Sequence, residues 1–232
     1  MNRGFFITGT DTNVGKTHVS GELMSVIANE GICVAGMKPV ASGGVWASGQ
    51  WRNEDALMLE ARASIRLPYD WVNPYVFTSP IAPHLAARQE GRSICLETIL
   101  ARFGQITSLV ECVVVEGAGG WLSPLDQGFD VADLAGSLRL PVILVVGIRL
   151  GCINHARLTD AAIRAAELPY AGWVANFIDP EFSTRSETVK TLIDCLGQEP
   201  LGIVSFQSDA QRIDQGQNNH WNHGEILRRM LP

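Results

Sequence analysis

Six short apolar runs punctuate this chain, at residues 5–8, 33–40, 111–116, 142–147, 171–176 and 201–204. Several are near-continuous Val and Ile without polar alternation, the pattern of strands buried on both faces. Between them, apolar residues at helical spacing predict helices over 15–29, 53–63, 96–109, 154–166 and 183–195. Strands joined by helical crossovers pair in parallel. The expected architecture is therefore an α/β fold, a three-layer sandwich with a mostly parallel central sheet. No repeat, low-complexity tract or shift in composition interrupts the pattern, so residues 1–232 are expected to form a single domain. Residues 68–83 predict a long loop punctuated by proline, and the polar, Gln- and Asn-rich stretch 207–222 predicts a loosely ordered excursion.

Composition narrows the functional classes. Of 232 residues, 46% are apolar and 18% charged, enough apolar material for one large core and too much for a disordered chain. Eighteen Lys and Arg stand against 24 Asp and Glu, a formal charge of -6. That balance argues against a general nucleic-acid or anionic-membrane binder. The longest apolar stretch, 140–148, is far shorter than a membrane helix needs, and no signal-peptide pattern opens the chain. Five cysteines (Cys33, Cys95, Cys112, Cys152, Cys195) are odd in number and form no C-x-x-C pair, as expected of reduced, mostly buried thiols in a cytoplasmic protein.

The strongest local signal is GTDTNVGKT, Gly9 to Thr17, which fits G-x-x-x-x-G-K-[ST] between a predicted strand and a predicted helix. In such a phosphate loop, backbone N–H groups converge on phosphate oxygens and the helix adds its positive end. Lys16 would reach the β and γ phosphates, and the Thr17 hydroxyl would ligate magnesium. Ligands of open parallel sheets gather at the carboxyl ends of the strands. There the second run places Lys38 and Ser42 in MKPVASGG; taken alone, such a lysine is more often a solvated cap, and its meaning comes from the residues beside it. The third run ends in Glu116, followed by Gly117, Ala118 and Gly119, where a magnesium-ligating carboxylate belongs. The fifth ends in Asn176, whose amide could read an adenine edge. Asp55 in RNEDA could be a metal ligand or only an acid at a helix N-terminus. His220 and His223 have no partner in a metal-site pattern.

Together GTDTNVGKT, MKPVASGG, RNEDA, VNPY, PHLAARQEG, VEGAGGW, VILVVGIRLGCINHA and AGWVAN resemble the dethiobiotin synthetase family, a P-loop NTPase-like fold, from Gly4 to about Asn176. The resemblance implies an ATP-dependent cyclo-ligase that closes the ureido ring of dethiobiotin from 7,8-diaminopelargonic acid, CO2 and ATP in biotin biosynthesis. It also implies a homodimer with substrate bound across the interface. By the same resemblance Lys38 and Lys16 are catalytic, and Thr17, Asp55 and Glu116 hold Mg2+. Thr12 and Ser42 contact the diamine, and Gly151, Cys152, Ile153 and Asn154 take the substrate carboxylate at a helix start. ATP is lined by Asn13, Val14, Gly15, Lys16, Thr17, His18, Asp55, Glu116, Gly117, Ala118, Gly119, Asn176, Phe177, Ser205, Phe206 and Gln207. Asn13 stands where many members have Glu, GIVSFQ lacks the proline that often follows the last strand, and Arg212 replaces a recurrent acid.

Two other readings share the loop. Deviant-loop partitioning ATPases resemble K-G-G-x-G-K-[ST], but Thr10 and Asp11 occupy the region of their extra lysine. Cobyrinate-type amidoligases require an appended glutaminase domain, for which 232 residues leave no room.

Overall fold

The computed structural model describes residues 3–206 and 219–230. Strand β1 (Gly4–Gly9) runs through the phosphate loop into α1 (Lys16–Asn29), and β2 (Val34–Met37) follows. The predicted strand over 33–40 is split in two. Pro39 has no N–H to give a ladder, and the backbone of Lys38 bonds outside the sheet, so β3 (Val40–Ser42) starts afresh beside another partner. A hairpin of β4 (Val45–Ala47) and β5 (Gln50–Arg52) turns at Ser48 and Gly49, both at positive φ (53° and 80°), as a type I′ turn requires.

Helices α2 (Glu54–Arg62) and α3 (Tyr69–Val72), strand β6 (Tyr75–Phe77), and helices α4 (Pro83–Gln89) and α5 (Leu96–Thr107) come next. The expected loop over 68–83 is thus corrected. It holds a helical turn and a strand that pairs in parallel with β3, matching Val40 to Tyr75 and Ser42 to Phe77. Its elements are shorter than the periods that reveal helices and strands.

The chain continues through β7 (Cys112–Glu116), β8 (Pro124–Asp126), β9 (Phe129–Asp130), α6 (Val131–Leu138), β10 (Val142–Ile148), α7 (Cys152–Ala165), β11 (Tyr170–Phe177), α8 (Arg185–Leu196) and β12 (Gly202–Val204). It ends with β13 (His220–Trp221) and α9 (His223–Met230). The far end of the polar excursion is therefore ordered. Trp221 lies flat on Gly202, where a Cβ would come within 2.5 Å of the indole, so β13 can join the edge only over a glycine.

The main sheet has seven strands in the order β13-β12-β11-β10-β1-β7-β2, all parallel but β13. Residues alternate between two cores. Phe6, Val113, Val115, Leu144 and Trp173 face one helical layer, while Phe5, Ile7, Val114, Ile143, Val145 and Val174 face the other. This is the three-layer α/β sandwich. From β1 the chain moves to one edge of the sheet, and from β7 it crosses to the far side of β1. That reversal opens a crevice at the carboxyl end of β1. All five cysteines are free, but only Cys112 and Cys152 are buried; Cys95 and Cys195 are exposed, contrary to the mostly buried expectation. Among the described residues no helix is long and apolar enough to cross a membrane.

Candidate active site

The phosphate loop turns because two of its residues take the left-handed region: Asn13 at φ 61° and Gly15 at φ 83°. The first explains the residue type, since Asn tolerates that conformation better than Glu. At Gly15 a Cβ would lie 2.1 Å from the Asn176 amide nitrogen, so the position admits no side chain. Gly15 caps α1 without a side-chain hydrogen bond, which leaves the first-turn N–H groups for a ligand. Asn176, 4% exposed at the end of β11, donates from Nδ2 to the Val14 carbonyl at 2.8 Å and braces the loop.

Four strand ends then converge. Lys38 Nζ lies 2.7 Å from Glu116 Oε1 and 3.0 Å from Asp55 Oδ2, and it reaches the Gly117 carbonyl at 3.4 Å. Thr17 donates to the same Glu116 oxygen at 2.9 Å. Burial alone would push the Lys38 pKa down, but the two carboxylates outweigh it and raise it. Burial likewise pushes Asp55 up, and Lys38 overcomes this to hold the carboxyl below its usual range. Lys16 Nζ donates to the Asp11 carbonyl at 2.9 Å. Burial, reinforced by the like charge of Lys38, lowers its pKa from 10.5 to about 8. Asp11 in turn pairs with Arg149 at 3.0 Å, which ties the loop to the turn before α7.

Lys16, Thr17, Lys38, Asp55, Glu116 and Gly117 are thus gathered into one cluster, with Asn176 against Val14. Thr12 and Asn13 sit exposed on the outer side of the loop, while Val14 is buried. Ser42 ends β3 with a buried Oγ that has no hydrogen-bond partner, a polar atom suited to a ligand contact. Gly151 caps α7 at φ 89°, again without a side-chain bond; the Cys152 N–H donates to the Arg149 carbonyl at 3.1 Å, and Ile153 and Asn154 follow in the first turn. Burial raises the Cys152 thiol pKa, which disfavours a nucleophilic role. Ala118 and Gly119 continue from Glu116 into the turn before β8, and Phe177 ends β11. At the end of β12 the Ser205 N–H donates to Asn219 at 2.9 Å, and Phe206 is exposed. His18 lies in the first turn of α1, and Gln207 falls outside the described residues. His223 pairs with Glu30 at 2.9 Å.

A divalent cation fits the cluster on one observation: Glu116 Oε2 is buried and has no hydrogen-bond partner. With Asp55 and the Thr17 hydroxyl it forms a hard-oxygen set suited to magnesium.

Three residues that frame the cluster carry no obvious chemistry in the sequence. Asn53, Tyr69 and Asn73 are all buried and hydrogen-bonded to one another. The two asparagines fall in the motifs RNEDA and VNPY, beside turns, and Tyr69 falls in neither.

A family model described as an AAA domain matches residues 3–213. The chain is 46% identical over 213 residues to ATP-dependent dethiobiotin synthetase BioD of Xanthomonas oryzae pv. oryzae (strain PXO99A), covering 92% of this chain and 95% of that protein. The same enzyme of Xanthomonas euvesicatoria pv. vesicatoria (strain 85-10) is 48% identical over 211 residues, covering 91% and 94%. That of Xylella fastidiosa (strain Temecula1 / ATCC 700964) is 47% identical over 188 residues, covering 81% and 83%. Among solved structures, the MinD cell division protein of Aquifex aeolicus superposes with a TM-score of 0.54 at 19% identity, over 91% of this chain and 84% of that one. A ParA family ATPase from Chlorobium tepidum TLS gives 0.53 at 13% identity, over 99% and 89%. These two similarities show a shared fold only.

Proposed function

The chain belongs to the ATP-dependent dethiobiotin synthetase family, within the AAA-domain family whose model it matches, and we propose how its residues carry the reaction. It is an ATP-dependent ligase. Its substrates are 7,8-diaminopelargonic acid, CO2 and ATP. One amine of the diamine takes up CO2 as a carbamate, and the carbamate oxygen attacks the γ-phosphorus with ADP leaving. The second amine then attacks the carbonyl carbon of the mixed anhydride, expelling phosphate and closing the ureido ring.

Both phosphoryl transfer and ring closure place negative charge beside the cluster. Lys38, fixed between two carboxylates and 4% exposed, supplies a preorganised ammonium where that charge develops. Lys16 turns from the Asp11 carbonyl to the β and γ phosphates, and the first turn of α1 receives them on its N–H groups. Thr17, Asp55 and Glu116 would hold Mg2+, which would supply further positive charge to the phosphates. Thr12 and the partnerless Ser42 hydroxyl bind the diamine or its carbamate. Asn13, Val14, Gly15, His18, Gly117, Ala118, Gly119, Phe177, Ser205, Phe206 and Gln207 line the nucleotide, and Asn176 offers its amide to the adenine.

The substrate carboxylate is held by the opening turn of α7, Gly151 to Asn154, from the second subunit of a homodimer. Leu150, 88% exposed, and Leu158, 64% exposed, flank that turn and suit such an interface. The protein acts in the cytoplasm, a compartment compatible with five free cysteines.

The observation that carries this reading is the convergence of Thr17, Lys38, Asp55 and Glu116 around one charge centre beside the phosphate loop. Titrating Mg2+ into Glu116→Gln and Asp55→Asn tests it. Each variant should need at least about tenfold more Mg2+ for half-maximal turnover, as loss of a ligating charge demands. An unchanged Mg2+ requirement in both would remove the metal assignment.

A further inference from the structure

Lys38 matters through its Nζ, yet its backbone is gripped as firmly as its side chain. Its N–H donates to the Val72 carbonyl at 2.8 Å, and its own carbonyl accepts from Asn73 Nδ2 at 2.6 Å. Asn73, 3% exposed, gives a second bond to the Tyr75 carbonyl at 3.2 Å, and its Oδ1 accepts from the Tyr69 hydroxyl at 3.0 Å. That hydroxyl accepts the Asn53 N–H at 2.8 Å. Asn53 then works in two directions: Oδ1 caps α2 by accepting from the Asp55 N–H at 3.1 Å, and Nδ2 donates to the Ser42 carbonyl at 3.1 Å.

One buried chain of hydrogen bonds therefore links the segments that present Lys38, Asp55 and Ser42. Lys38 follows β2, Ser42 ends β3 and Asp55 lies in the opening turn of α2, so none of the three is held within the main sheet. We infer that Tyr69, Asn73 and Asn53 are positioning residues that hold the Lys38 ammonium, the Asp55 carboxylate and the Ser42 hydroxyl in one frame. The inference rests on the catalytic role of Lys38 proposed above. It assigns a task to the VNPY segment, which contributes no side chain to the charged cluster. The Tyr69 hydroxyl is the joint: among the described residues it is the only group bonded to both asparagines, and its ring is fixed independently beneath the Arg52 guanidinium, 4.7 Å from the ring centre.

Tyr69→Phe keeps the ring and deletes the joint. Displacing a catalytic group by under an ångström is enough to cost one to two orders of magnitude. The expected result is a kcat lower by at least about tenfold, with KM for ATP changed by less than kcat, because Lys16 and the phosphate loop lie outside the frame although Asp55 lies within it. A residue acting only on stability would lower the melting temperature and leave this split absent. The decisive comparison is a double-mutant cycle on the complete chain: in a Lys38→Ala background Tyr69→Phe should cost less than about twofold further. A folded Tyr69→Phe enzyme with wild-type kcat, or a loss that multiplies in full with that of Lys38→Ala, overturns the inference. If Tyr69→Phe does not fold, Asn73→Asp carries the same cycle, since it removes the donor to the Lys38 carbonyl with little change of shape. Near-wild-type turnover in Lys38→Ala itself would defeat the catalytic reading and this inference with it. Failure of the cycle alone would leave that reading standing.

Discussion

Lys16 is the group whose charge responds most directly to nucleotide. It is 7% exposed with its ammonium against a backbone carbonyl, and its pKa of about 8 reflects burial first and the like charge of Lys38 second. The negative charge of a triphosphate placed against it outweighs both influences, so binding should restore the ammonium and draw a proton from solution. With half the lysine neutral at pH 8, uptake should be about 0.5 proton per site there, about 0.1 at pH 7 and about 0.9 at pH 9. The sign follows: the complex binds more protons than the free enzyme, so affinity falls as pH rises through 8. Between pH 7 and pH 9 it should weaken about tenfold. Isothermal titration of a non-hydrolysable ATP analogue with Mg2+, in buffers of equal pH but different ionisation enthalpy, reads the uptake as a slope. Lys16→Arg is the control, because a guanidinium does not titrate in this range and its slope should vanish. Uptake that stays near zero from pH 7 to pH 9 in the wild type would refute the reasoning, as would an affinity that rises with pH.

Lys38→Ala should cut turnover about a hundred- to thousandfold, the loss seen when one preorganised donor to a developing anion is removed. The same change strands the buried Glu116, so a loss of about 3–5 kcal/mol in denaturant unfolding should accompany it. Turnover within a few fold of wild type would sink the catalytic role. Asn176→Ala removes the brace on Val14, worth about 1 kcal/mol, and should also narrow the preference for ATP over GTP in competition binding; an unchanged ratio argues against an adenine contact. Gly15→Ala forces a side chain into the left-handed region against Asn176, and ATP affinity should drop at least about tenfold, where an affinity within twofold would contradict the loop geometry.

The large elements were legible because buried parallel strands leave continuous Val and Ile runs and their crossovers leave helical spacing. The phosphate loop, Lys38 and Glu116 stood out because each lies at the carboxyl end of such a run. Asp55 was ambiguous in the sequence, which carries no sign of its 3.0 Å contact with Lys38. What escaped was short or long-range. Helix α6 has eight residues and a capping box of Asp130 and Asp133, a local signal easily lost among neighbouring acids. The pairing of β3 with β6 joins residues about 35 positions apart through only three pairs, and no period announces it. Strand β13 depends on a glycine in β12 that accommodates Trp221, a fit that appears only when both strands are in place. The asparagines of VNPY and RNEDA look like turn residues in the sequence. Their tertiary partners are what make them a frame for the site.

The central claim is that the lysines, carboxylates and phosphate loop assembled at this sheet edge couple ATP cleavage to ureido-ring closure. The most direct measurement incubates the purified protein with diaminopelargonate, bicarbonate and Mg-ATP, following dethiobiotin by mass spectrometry and ADP in parallel. The account predicts dethiobiotin and ADP in equal amounts, both absent without the diamine. ADP release that proceeds at the same rate without the diamine, and with no dethiobiotin formed, would contradict it.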